Sequence, residues 1–277
     1  MRSALKLLLA AAVCYSSVLL MIPALQRRLT YFPTIAPAEE LVAAARRLGL
    51  EPWTIDGEIV AWRTPATART NQRLLIFHGN AGYALHRSYF LPLPPAPESW
   101  QVILAEYPGY GARSSGEPSE RAFQRTTEVI FANLRAESDQ PIFVVGESIG
   151  SGVAAWLAGN HPSEVGGMVL ITPMPSLADV ALHHYPWLPI RRLLRDRYDS
   201  VQALRAYRGP IAFVVAENDE IIPAAIGRKL YDAYDGPKRL WIQRGTGHNS
   251  IDYDPRWWSP IFAFVQDHAR QGREAGA

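Results

Sequence analysis

The chain almost lacks cysteine: Cys14 is the single one among 277 residues. One thiol cannot close an intramolecular disulfide, and it is too few for a cysteine-based metal site. Beyond residue 14 a cysteine nucleophile is excluded outright. Charge is thin as well. Charged residues make up 19% of the chain and balance to +2. So small an imbalance gives no field of one sign, which excludes nucleic-acid binding by bulk charge. The chain also has no internal repeat and no low-complexity tract. Apolar residues, by contrast, are plentiful at 48%. That is enough for a sizeable core and incompatible with wholesale disorder. The length fits one large α/β domain or two small ones at ~100–200 residues each.

The apolar residues are not evenly spread. Between Lys6 and Arg27 lie 20 residues without a charge, Leu7 to Gln26. A helix of that length spans ~30 Å, the thickness of a hydrocarbon core. Tyr15, Ser16 and Ser17 dilute the run without breaking it. Residues 1–30 are therefore expected to be an N-terminal membrane anchor with its flanks. A cleaved signal peptide and a buried soluble helix are the alternatives. Ile22-Pro23-Ala24 makes a poor cleavage site, and Val13 is bulky beside Cys14 for a lipoprotein signal. Basic residues flank both ends, so charge does not orient the segment.

Residues 31–277 are expected to form the second unit. Thr30 to Pro37 reads as a proline-punctuated linker off the membrane, followed by a short helix over Ala38–Leu48. Asp56-Gly57 between Trp53–Asp56 and Glu58–Trp62 signals a hairpin. Short apolar runs follow at Leu74–Phe77, Val102–Glu106, Ile142–Val145, Met168–Ile171, Ile211–Val215 and Leu240–Gln243. Helical patterns lie between them, at Ser119–Leu134, Gly150–Ala158, Ala224–Tyr234 and Trp257–Arg270. Such alternation predicts an α/β fold, a mostly parallel sheet with helices on both faces. Residues 173–208 interrupt the alternation and read as a short lid insertion.

Gly146-Glu147-Ser148-Ile149-Gly150 follows a strand-like run and opens an alanine-rich helix. A G-x-S-x-G at such a turn lifts the serine hydroxyl above the sheet on a strained backbone, and small flanking residues let it turn. A serine nucleophile needs a base, and the base an orienting carboxylate. Of the seven histidines, His248 follows the last strand, where a loop can bring it over Ser148. His78 lies in a loop after an earlier strand and suits a bracing role. His161 and His268 read as surface residues, His86 as surface or lid, and His183 and His184 as packing within the insertion, with the lining of an entrance as their alternative. Asp219 follows the strand Ile211–Val215, with Glu217 and Glu220 as rivals at the same loop. The chain order Ser148, Asp219, His248 fits a nucleophile elbow. The two oxyanion donors are expected to be the backbone N–H groups of Ile149, at a helix N-terminus, and Asn80.

Taken together, Gln26–Thr34, His78-Gly79-Asn80-Ala81-Gly82, Glu106–Gly111, Pro118-Ser119-Glu120, the serine motif and Gly247-His248-Asn249 resemble the α/β-hydrolase superfamily. More narrowly they resemble its membrane-anchored serine-hydrolase branch, the one related to a fungal bud-emergence protein. The resemblance runs from the anchor to the last helix. It implies an eight-stranded sheet, a Ser148-Asp219-His248 triad, oxyanion donors at Asn80 and Ile149, and an acyl-enzyme mechanism. Ala216 stands where relatives often have glycine, Ser250 where many have aspartate, and the loop Gly111–Gly116 is slightly long.

The expected activity is hydrolysis of carboxylic esters or thioesters, with an acyl or lipid substrate near a membrane and neither metal nor organic cofactor. A peptidase or amidase with the same triad is the second class, and a non-catalytic scaffold on this fold the third. Serine rather than aspartate at the elbow argues against dehalogenase or epoxide-hydrolase chemistry.

Overall fold

The structure, a computed structural model, describes residues 2–276. Helix α1 (Arg2–Thr30) comes first. Its apolar stretch, Ser3–Ile22, has a mean hydropathy of 2.2, and none of its most apolar window is buried. That stretch begins four residues before the uncharged run, because charge and hydropathy do not break at the same place. Helix α2 (Ala38–Arg47) follows.

Eight strands then build one sheet: β1 (Glu51–Ile55), β2 (Glu58–Arg63), β3 (Gln72–Phe77), β4 (Trp100–Ala105), β5 (Ile142–Glu147), β6 (Val165–Ile171), β7 (Ile211–Ala216) and β8 (Lys238–Gln243). Their spatial order is β8-β7-β6-β5-β3-β4-β2-β1. The pairs from β8 through β4 are parallel, whereas β1–β2 and β2–β4 are antiparallel. The hairpin turns at Asp56 (φ +51°) and Gly57 (φ +81°). Two successive left-handed residues match the twist of a tight hairpin, and Asp-Gly tolerates that conformation.

Side chains alternate across the parallel strands, so the sheet has two apolar faces. Leu75, Phe77, Val144 and Phe213 belong to one core, with Phe123 of α3 (Glu120–Glu137), Val153 of α4 (Ile149–Asn160) and Leu230 of α8 (Ala224–Ala233). Leu74, Ile76, Val145 and Val214 belong to the other, with Leu41 of α2 and Trp258, Phe262 and Val265 of α9 (Pro255–Gly276).

The segment after β6 carries three short helices, α5 (Leu177–His184), α6 (Ile190–Leu193) and α7 (Ser200–Ala203). Buried Ala178, Leu188 and Ile190 form a third, small cluster that packs with Leu19 and Ile22 of α1.

Thr30–Pro37 is not the linker expected from its prolines. Phe32 and Thr34 donate backbone hydrogen bonds to Asn80 and Gly82, and Gly111 donates to Thr34. Tyr31 is buried. The prolines here punctuate an edge strand, Phe32–Pro33, which pairs with Ala81–Gly82. Pro33 loses nothing there, because an edge strand needs no donor on its outer side.

Candidate active site

The sheet fixes where the serine motif can sit. Strand β5 lies at the centre and ends at Glu147, and α4 starts at Ile149. Ser148 between them has φ +54° and ψ −118°. For a residue with a Cβ this is a strained conformation, and such strain clusters at functional sites. The flanking glycines are needed for space. A Cβ on Gly146 would lie 2.5 Å from the Gly150 carbonyl oxygen. A Cβ on Gly150 would collide with the Phe77 carbonyl at the end of β3. Substitution at either position would push the elbow off the sheet.

Two loops then converge on the Ser148 hydroxyl. His248, from the loop after β8, places Nε2 2.9 Å from Ser148 Oγ. Its Nδ1 lies 2.8 Å from Asp219 Oδ2, from the loop after β7. A carboxylate only accepts, so Nδ1 carries the proton and Nε2 is left to accept from the hydroxyl. The second Asp219 oxygen accepts from the backbone N–H groups of Ile221 (2.9 Å) and Ile222 (2.7 Å). The carboxylate is thus fixed from both sides and buried.

Glu217 and Glu220 are exposed and do not reach His248. Glu217 instead accepts from the Gly245 N–H at 2.9 Å, holding the histidine loop. Ser250, one of the departures noted in the sequence, accepts from Gly247 N–H at 2.8 Å and closes the same loop.

Asn80 and Ile149 line one cavity with Ser148. Asn80 is gripped at two points other than its N–H. Its carbonyl accepts from Phe32 N–H (2.8 Å) and Tyr110 hydroxyl (2.7 Å), and its side chain donates to the Thr30 carbonyl at 2.8 Å. Neither the Asn80 nor the Ile149 backbone N–H donates a hydrogen bond among the described residues. His78 is buried beneath this loop. Its Nδ1–H donates to Gly79 O at 2.7 Å, and its ring packs on Tyr107 at 4.3 Å. Burial pushes the Tyr107 hydroxyl well above its ordinary range, so the ring stays neutral. Tyr107 OH in turn donates to His78 O at 3.2 Å.

Sequence reasoning missed a second brace. Arg87 Nε donates to Glu147 Oε2 at 2.8 Å, and Tyr89 OH donates to the same oxygen at 3.0 Å. Burial alone would lower the Arg87 pKa, but the Glu147 carboxylate holds it above its usual value. The available signal was an acidic residue inside G-x-S-x-G at the top of a buried strand, which calls for a cation. Among the other histidines, His161 meets Glu128 and Glu164, His268 Nδ1–H donates to Phe264 O of its own helix, and His184 Nε2 lies 2.9 Å from Ile221 O. His86 stacks on Tyr83, and burial lowers its pKa.

The cavity over Ser148 measures 520 Å³. Its walls include Ile22 and Leu29 of α1, Leu177 and Leu188 of the insertion, Met174 and Ile222. This is a mostly apolar chamber with Ser148 in its lining. A larger hollow of 890 Å³ lies elsewhere, beside Glu58, Arg113 and Arg121. Neither Ser148 nor His248 lines it, so the candidate site does not coincide with this larger hollow.

Residues 72–198 match the family model described as alpha/beta hydrolase fold. The chain is similar to the uncharacterized protein Rv2307c of Mycobacterium tuberculosis, 35% identical over 256 residues, covering 89% of this chain and 88% of that one. It is similar to the protein bem46 of Schizosaccharomyces pombe, 29% identical over 156 residues, covering 54% and 52% of the two chains. It also resembles the lysophosphatidylserine lipase ABHD12 of Mus musculus, 25% identical over 195 residues, covering 64% and 48%. The first likeness covers 89% of this chain, and with it the chain belongs to the α/β-hydrolase family.

Proposed function

We propose that the protein is a serine hydrolase that cleaves carboxylic esters or thioesters of acyl substrates at a membrane, through an acyl-enzyme intermediate. The observation that carries this reading is the hydrogen-bonded chain from Asp219 through His248 to Ser148, 2.8 and 2.9 Å. Ser148 Oγ attacks the carbonyl carbon while His248 Nε2 takes its proton. Asp219 holds the imidazole in the needed tautomer and stabilises the imidazolium. The N–H groups of Asn80 and Ile149 receive the oxyanion, each contributing ~2.7–4 kcal/mol to the transition state by analogy with other oxyanion donors. The leaving alcohol or thiol takes the proton from His248. Water then attacks the acyl carbon, gives a proton to His248, and the carboxylic acid departs as Ser148 regains its hydrogen. The steps balance without metal or cofactor.

The apolar chamber and a relative named a lysophosphatidylserine lipase support an acyl chain as the bound group. The same reading makes residues 1–30 the membrane anchor, residues 31–277 the hydrolase domain and 173–208 its lid. It is supported by the length and hydropathy of Ser3–Ile22.

Labelling the full chain with a fluorophosphonate tests the nucleophile. Wild type is expected to label and Ser148→Ala to stay unlabelled, and equal labelling sinks the assignment. A series of esters of rising chain length, run beside aminoacyl amides, tests the substrate class. Turnover of the amides alone would replace the esterase by an amidase.

A further inference from the structure

Helix α1 does more than hold the chain near the bilayer. We infer that its membrane-proximal end is a wall of the acyl site, and that the substrate's acyl chain reaches Ser148 from the bilayer, through the mouth between α1 and the lid. The inference rests on Ser148 being the nucleophile of the proposed hydrolase.

Three observations carry it. The first is the lining. Ile22, Gln26 and Leu29 of α1 border the same cavity as Ser148, opposite Leu177, Leu188 and Leu194 of the lid. Without the last turns of α1 the chamber would lack one side.

The second is that the helix is clasped rather than loosely attached. Gln26 is 3% exposed. Its Nε2 donates to Asp196 O at 2.9 Å, and its Oε1 accepts from Arg195 N–H at 2.7 Å. Tyr31 OH bonds to Asp196 Oδ2 and to Tyr198 OH, both at 2.9 Å. Swinging α1 away would strand these buried polar groups. The position of Ile22 and Leu29 over Ser148 is therefore built in.

The third is the depth of the lid. Tyr15 OH donates to the Trp187 carbonyl at 3.1 Å. Tyr15 lies inside the apolar stretch Ser3–Ile22, seven residues before its end. At ~1.5 Å per residue the lid tip then sits ~10 Å inside the hydrocarbon boundary if Ser3–Ile22 spans the bilayer. Its composition suits that depth. Trp187 is 60% exposed, Tyr185 52% and Ile221 48%, and all three border the mouth. Exposed apolar groups gathered at one opening mark an interaction surface. An acyl chain sliding from hydrocarbon into this chamber exposes no methylene to water, whereas any aqueous route exposes them all.

The wall is tested by covalent mapping on the full chain in phosphatidylcholine vesicles. A long-chain alkyl fluorophosphonate bearing a mid-chain diazirine is attached at Ser148 and then irradiated. Cross-links are expected in the peptide holding Ile22–Leu29 and in the lid. Labelling at Ser148 with cross-links confined to other segments overturns the wall. No label at Ser148 overturns the proposed nucleophile itself, and the inference with it. In the same vesicles, Leu29→Trp is expected to lower the ratio of palmitoyl-ester to acetyl-ester kcat/KM about tenfold, the scale on which an apolar pocket discriminates. An unchanged ratio overturns the wall as well. The route is tested with a nitroxide attached after Trp187→Cys in a Cys14→Ser background. Relaxation by oxygen rather than by a water-soluble nickel chelate is expected, and the reverse places the mouth in water and overturns the bilayer route.

Discussion

Around Ser148 the candidate groups sit at strand ends that a parallel sheet brings together. Phe77 pairs with Gly146, so the loop carrying Asn80 emerges beside the elbow, and β7 and β8 end side by side to present Asp219 and His248. Around residues 173–208, the proposed lid, the arrangement is different. Gln26 meets Asp196 across 170 residues of sequence, and buried Ala178, Leu188 and Ile190 form a small cluster against α1. The sheet side is held by two large cores; the lid is rooted in one of them through Val180 and Tyr198, and its tip is held to α1 by polar clasps and a small apolar contact. On the proposed function, that division gives chemistry to the rigid side and selection of substrate to the lid tip, since precise alignment needs locked elements.

The comparison breaks most visibly if the rigid side is disarmed while the lid side is untouched. Removing the proposed nucleophile by Ser148→Ala is expected to lower ester turnover by roughly 10³–10⁶-fold. Asp219→Asn comes next, with a loss of roughly 10⁴-fold in kcat through the wrong histidine tautomer. The asparagine keeps an oxygen for the Ile221 and Ile222 N–H groups, so thermal unfolding should move little. Unchanged turnover in Asp219→Asn would hand the role to Glu217 or Glu220, the exposed carboxylates of the same loop. Activity assays and a melting curve on the same preparation decide both cases.

How far the sequence could be read follows the same division. The elbow, the histidine loop and the acid loop each announce themselves within a few residues, because turns, glycines and strand ends are local features. Strand β6 was harder. It starts at Val165, three residues before the apolar run, because Gly166 and Gly167 look like breakers. A Cβ at Gly167 would collide with Val265 of α9, so the glycine admits a helix rather than ending a strand. Thr30–Pro37 misled for the mirror reason. Its prolines suggest a free linker, but the partners that hold it, Asn80, Gly82 and Gly111, come some fifty to eighty residues later. The Gln26–Asp196 clasp and the Arg87–Glu147 pair left no local pattern at all. Contacts that distant in sequence are set by the fold, and a polar residue alone does not name its partner.

A milder perturbation sharpens the lid side. Gln26→Ala leaves Arg195 N–H and Asp196 O without their partner in a buried place. The cost is expected to be about 1–3 kcal/mol. It should appear less as global unfolding than as loosening of the lid. Hydrogen exchange should rise over residues 185–196 while β5 and β7 stay protected. Equal protection across both regions in the variant would mean that the lid is held by its apolar cluster and not by the clasp.

The smallest expected effect belongs to the rigid side and is a pH effect. His161 follows α4 and faces two carboxylates, Glu128 of α3 at 3.0 Å from Nε2 and Glu164 at 3.1 Å from Nδ1. Arg135 of α3 also reaches Glu164, at 3.2 Å, and Phe131 packs on the ring. Both ring nitrogens face acceptors, so the imidazolium fits best. Burial lowers its pKa, but the hydrogen bonds to Glu128 and Glu164 outweigh this and leave it raised above 6.5. A raised folded pKa means that the stabilisation is fully present below about 6.5, the unfolded value, and is lost as pH rises through the folded one. Solvent reaches the carboxylates, so the contribution is held to about 1 kcal/mol or less. The melting temperature of wild type should exceed that of His161→Gln by at most ~2–4 °C at acidic pH, and the gap should close at alkaline pH. Chain-length selectivity should not follow it, because His161 lies on the sheet side, away from the chamber. A gap that widened with pH would reverse the sign and place a neutral imidazole between the two carboxylates.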